Sequence, residues 1–189
     1  ISQVNLTGIS SATINQSNDS LDSSAFIGQT GDNQTASITQ TTTGGPLGGS
    51  SASITQSGES HMADINQGPG EGPFGPMATS AEIIQSGSGH QSTISQAWSD
   101  NSRVLVIQDG SNQLAQVNQG MEGRYNNVTV NQSGGDNEAY VDQVNAFGSA
   151  DSPNSVVINQ TGMGNFATAY QSGGGDWTGG TGNSATITQ

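Results

Sequence analysis

Residues 36–40 read Ala36-Ser37-Ile38-Thr39-Gln40, and this five-residue figure decides the fold because it returns throughout the chain. It recurs as Ala12-Thr13-Ile14-Asn15-Gln16, as Ala63-Asp64-Ile65-Asn66-Gln67 and as Ala115-Gln116-Val117-Asn118-Gln119. The last copy is Ala185-Thr186-Ile187-Thr188-Gln189, and a clipped copy, Ile1-Ser2-Gln3, opens the sequence. Of fourteen complete copies, all end in Gln, and the third residue is Ile or Val in all but one, where Ala169 stands. The first residue is Ala in ten copies, Val in three (Val104, Val128, Val156) and Ser92 in one. A repeat this regular is the signature of a solenoid, whose units bury apolar surface only against their neighbours.

The apolar residues and the Gln alternate with polar ones, which is the period of a strand and not of a helix. The expected stacking core begins with Ala12, Ile14, Gln16, Ala25, Ile27, Gln29, Ala36, Ile38, Gln40, Ala52, Ile54, Gln56, Ala63, Ile65 and Gln67. It continues through Ala81, Ile83, Gln85, Ile94, Gln96, Val104, Val106, Gln108, Ala115, Val117 and Gln119. It ends with Val128, Val130, Gln132, Ala139, Val141, Gln143, Val156, Ile158, Gln160, Ala167 and Gln171. Its volume is balanced: where Val104 and Val128 replace Ala, the third residues shrink to Val106 and Val130. Near-constant volume per layer is what close packing demands.

The spacing defines the unit. Gln29 to Gln40, Gln56 to Gln67, Gln85 to Gln96, Gln108 to Gln119, Gln132 to Gln143 and Gln160 to Gln171 are each eleven residues apart. The steps between these pairs range from 12 to 18. Two residues past the first Gln of each pair stand Gly31, Gly58, Gly87, Gly110, Gly134 and Gly162. Glycine at a fixed turn position implies a positive φ that other residues resist. Each unit is thus a strand of about five residues, a tight arc and a second strand.

Two geometries fit: a hydrogen-bonded hairpin, or two strands that face each other through side chains while each pairs with its equivalent in the next unit. The second is preferred, because it stacks Ala on Ala, Ile on Ile and Gln on Gln in two parallel in-register sheets. The expectation is an all-β solenoid over residues 1–189, a single domain of about 7.5 rungs rising about 4.8 Å each. Its units are 1–16, 25–40, 52–67, 81–96, 104–119, 128–143, 156–171 and the half unit 185–189.

Composition sets the functional limits. Hydrophobic residues are 30%, charged residues only 9%, and the formal net charge is −13 with two basic residues, Arg103 and Arg124. A chain without a basic face does not bind nucleic acid or an anionic membrane surface. The charge favours solubility and repulsion between copies. There is no Cys, and no apolar run is long enough to span a membrane. No leader is visible, but the sequence opens inside a repeat.

Gln160-Thr161-Gly162-Met163-Gly164-Asn165-Phe166-Ala167-Thr168-Ala169-Tyr170-Gln171 resembles the repeat of the curlins, subunits of curli-type bacterial amyloid fibres, which reads Ser-x5-Gln-x-Gly-x-Gly-Asn-x-Ala-x3-Gln. Six residues before the first Gln of the units stand Ser23, Ser50, Thr79, Ser102, Asn126, Asn154 and Asn183. The other units keep Gln, Gly and, apart from Ser92, Ala, but drift at the Gly-Asn pair, and the looser arcs are longer than in typical curlins. The resemblance implies a secreted structural protein that stacks end to end into biofilm-matrix fibres. It also implies export through a dedicated pore and growth seeded by a nucleating subunit. The expected polymerisation edges are Ile1 and Gln3 at one end and Ala185, Ile187 and Gln189 at the other.

Other chemistries are less well supplied. No catalytic constellation, cofactor or metal site is expected. His61 and His90 follow Gly58 and Gly87 at equivalent places, where Asn137 and Asn165 stand in other units, so they read as arc residues more readily than as metal ligands. The acidic residues do not recur at one position, which disfavours a calcium roll. The alternative function is a capped solenoid acting as an ice-binding protein or adhesin stalk. Ice binding needs a flat array of Thr-x-Thr, and of the outward pairs only Thr186/Thr188 fits. Phe74, Trp98, Phe147 and Trp177 lie in the variable arcs, and they read as lateral or arc packing.

Overall fold

Strands form wherever the five-residue figure occurs, because β-branched residues on alternate positions fit a pleated, half-buried surface. The computed structural model describes residues 1–4, 8–17, 23–41, 49–68, 78–97, 99–120, 123–146, 148–150, 152–173 and 182–189. Phe74, Trp98, Phe147 and Trp177 lie outside them. Among the described residues the chain is all-β.

One sheet contains eight strands: β1 (Ser2–Val4), β3 (Ser24–Asp32), β5 (Ser51–Glu59), β7 (Ser80–Ser88), β10 (Arg103–Ser111), β13 (Asn126–Gly135), β15 (Asn154–Met163) and β17 (Ser184–Thr188), in that spatial order. The facing sheet contains seven: β2 (Ser11–Gln16), β4 (Thr35–Gln40), β6 (Met62–Gln67), β8 (Gln91–Gln96), β11 (Leu114–Gly120), β14 (Glu138–Ala146) and β16 (Phe166–Gly173). Every pairing is parallel. The register sets like on like: Ala52 on Ala81, Ile54 on Ile83, Gln56 on Gln85 and Gly58 on Gly87. The two strands of a unit lie in different sheets, so the side-chain-facing geometry is the one adopted.

The core is the column of third residues, with Ile27, Ile38, Ile54, Ile65, Ile83, Ile94 and Ile158 among the side chains fully removed from solvent. Each contributes roughly 1.5–3 kcal/mol of hydrophobic stabilisation before entropy is subtracted. Val104, Val106, Val128 and Val130 are equally buried, as the balanced volumes anticipate.

Three features depart from the expectation. Strands of the eight-membered sheet run nine or ten residues in the middle of the solenoid, not five, because the ladder continues through the glycine arc. Rungs are unequally complete: at one end β1 has three residues and Ile1 precedes it, exposed, while Ala12 and Ile14 are half-buried and Gln16 exposed. At the other end Ala185 and Ile187 are half-buried and Gln189 exposed, since among the described residues no seven-sheet strand faces them. Finally, two variable arcs pair as a third small sheet, β9 (Ser99–Asp100) with β12 (Gly123–Arg124), which carries the ion pair Arg124–Asp100 at 3.3 Å.

Candidate functional site

The inward Gln of each interior strand has no water to bond, so its amide must be satisfied inside. It is satisfied along the stack. In the seven-stranded sheet Nε2 of Gln16 donates to Oε1 of Gln40, and so on through Gln67, Gln96, Gln119 and Gln143 to Gln171, at 2.6–2.9 Å. In the facing sheet the ladder runs from Gln29 through Gln56, Gln85, Gln108, Gln132 and Gln160 to Gln189, at 2.8–3.0 Å. The second Nε2 hydrogen reaches across to the other sheet, from Gln56 to the Thr35 carbonyl and from Gln132 to the Leu114 carbonyl. Gln56 and Gln132 therefore tie their rungs to the next and one sheet to the other. Ser92, the one hydroxyl at an Ala position, accepts from Gln85 and donates to Gln108, which accounts for a buried polar group there.

The arcs are stacked as strictly as the strands. Gly31, Gly58, Gly87, Gly110, Gly134 and Gly162 hold φ between 103° and 118°. A Cβ on any of the first five would meet the carbonyl oxygen of the next rung's glycine. Glycine is required there both by conformation and by rung-to-rung approach.

The arc also contains a second polar column. Gln34, His61, His90, Gln113, Asn137 and Asn165 each place a side-chain nitrogen against the carbonyl four residues back, at 2.8–3.0 Å. Ring nitrogen Nε2 of His61 donates to the Ser57 carbonyl, so Nδ1 is free to accept, and it takes the His90 backbone N–H. His90 does the same with the Gln113 N–H, and Asn137 with the Asn165 N–H. At Gln34 and Gln113 this link fails, leaving Oε1 buried without a partner, because Gln is one methylene longer than Asn. Spacing alone set the two histidines beside Asn137 and Asn165; Gln34 and Gln113 were missed.

The imidazoles of His61 and His90 stack with centroids 5.0 Å apart and planes 3° from parallel. Burial pushes the pKa of both below the ordinary histidine value, against the opposing pull of the Ser57 and Ser86 carbonyls. With both ring nitrogens engaged, neither histidine offers a lone pair to a metal. Among the described residues no group of three or more His, Cys, Asp or Glu is arranged to hold one.

The other arc carries a column at the positions six residues before the first Gln. Ser50 accepts from Thr79 Oγ1, Asn126 accepts from Asn154 Nδ2, and Asn154 Oδ1 accepts from the Asn183 backbone N–H. The outermost strands continue both systems: Gln3 pairs with Gln29 in register, β17 pairs with β15, and Gln189 closes its ladder. Beyond β1 and β17 in one sheet, and β2 and β16 in the other, no further strand lies among the described residues.

No family model, curated protein or solved structure matches this chain.

Proposed function

We propose that this chain is a non-enzymatic structural subunit of an extracellular, curli-type fibre in a biofilm matrix. Its mechanism is self-templated stacking of copies along the solenoid axis. The observation that carries this reading is the zero-shift parallel register, in which every strand pairs with its own equivalent. A cross-section that repeats in this way has no intrinsic end, because an outer strand offers the next strand the same backbone groups and the same Ala, Ile and Gln positions. The Gln ladders add selectivity, since a strand without the inward Gln breaks the ladder. The resemblance of residues 160–171 to the curlin repeat supports the extracellular setting, the export pore and the nucleating partner.

The test is fibre diffraction and seeding on the purified chain after removal from denaturant. The reading expects a meridional reflection at about 4.7–4.8 Å and a lag phase abolished by preformed fibre. A soluble β-rich chain that neither elongates nor responds to seeds would refute it and bring forward the capped solenoid.

A further inference from the structure

The two sheets present different outer faces. At the two outward positions of each strand figure, the seven-stranded sheet has no aliphatic residue, whereas the eight-stranded sheet has Ile84, Leu105, Ile107 and Val157. In register, Ile84 lies beside Ile107, and Leu105 is linked through Thr129 to Val157, so these side chains form one patch near the middle of the sheet. They are half-buried by their neighbours and stand on the outside of the solenoid. On β10 the patch is bounded by two exposed charges. The outward row reads Arg103, Leu105, Ile107, Asp109, and Arg103 is in no ion pair among the described residues.

We propose that this face is a lateral interface with a second copy of the chain, related by a two-fold axis parallel to the solenoid axis. That operation keeps the stacking direction and reverses the strands. It sets Arg103 against the partner's Asp109 and Leu105 against the partner's Ile107, and by symmetry each pair occurs twice. The other two-fold that places the same faces together runs along the strands, and it sets Arg103 against Arg103 and Asp109 against Asp109. Charge complementarity therefore selects parallel solenoid axes. The sheets would lie about 10 Å apart, with the aliphatic side chains between them. Glu82, beside Leu105 in the register, marks the acidic border of the patch on β7, where the same operation sets it against the partner's Ile84. Asp109 is already fixed at the rim by a 2.7 Å bond from Ser86 Oγ. The pairing requires no end-to-end growth and holds for single solenoids as for fibres.

The test is sedimentation of the freshly refolded chain, with mass per length of any fibre measured by electron microscopy. The expected result is a side-by-side pair and doubled mass per length. Arg103→Asp and Asp109→Arg, each at an exposed position, should weaken pairing about tenfold, and the double swap should restore it. Leu105→Asn should abolish pairing with the β-sheet circular dichroism unchanged. A parent chain found only as single solenoids overturns the proposal. So do single-charge variants that pair like the parent, or a double swap that fails to recover pairing.

Discussion

His90 donates its backbone N–H to Nδ1 of His61 across one rung, at 3.4 Å, while the two rings lie stacked. The bond requires the neutral imidazole, because a protonated Nδ1 has no lone pair. Both pKa values are lowered in the folded chain, chiefly by burial. The unfolded chain thus takes up protons at higher pH than the folded one. The contribution of neutral His61 and His90 is complete above about pH 6.5 and is lost as pH falls from there towards the lowered folded values. Denaturant midpoints measured from pH 8 to pH 4 should fall across this window, and a His61→Asn, His90→Asn double variant should show a smaller fall.

Gln113 sits in the same column with a buried, unpartnered Oε1. Asn137 shows that the shorter amide can make both bonds. Gln113→Asn is therefore expected to stabilise the solenoid by about 1 kcal/mol, read as a raised denaturant midpoint. A lowered midpoint would show that the lost methylene packing outweighs the gained bond.

Gly87 and Gly164 both have positive φ, at 113° and 69°, but only Gly87 faces the carbonyl of the next rung's glycine. Gly87→Ala should cost more than about 3 kcal/mol, adding a steric clash to backbone strain. Gly164→Ala, with open space around it, should cost about 1 kcal/mol. Equal losses would argue that backbone conformation alone requires glycine at Gly87.

Removing one member of a ladder strands several partners at once. Gln108→Leu leaves the Nε2 of Gln85, the Ser92 hydroxyl and the Gln91 carbonyl each short of a bond. The expected loss is roughly 3–5 kcal/mol, with amide-exchange protection falling first in β7, β10 and β13. Substitution of exposed Thr55 on the outer face should change stability by less than about 0.5 kcal/mol.

Strand identity, parallel register and the arc glycines were legible in the sequence because a strict repeat leaves one consistent stacking. Ile54 must lie over Ile83 if Gln56 lies over Gln85, and both hold. The full strand length was not legible, since Gly58 and Glu59 read as a turn although they pair in the ladder. Gln34 and Gln113 escaped because their bonds to Thr30 and Asp109 depend on side-chain reach, which spacing does not encode. The small sheet of Ser99–Asp100 and Gly123–Arg124 lies in arcs that share no repeat, so no pattern announced it.

The Gln ladders have an electrical consequence. In both sheets each Nε2 points towards the higher-numbered rung, from Gln16 to Gln171 and from Gln29 to Gln189. The strand backbones contribute little, because their dipoles alternate. The side-chain amides do not alternate, and they add head to tail as peptide units do in an α-helix. The solenoid is in this sense a rod with a positive and a negative pole, donors at the Gln189 end and acceptors at the Gln16 end. If copies add end to end as proposed, an incoming chain of net charge −13 meets two poles of opposite sign and is drawn more strongly to the donor end.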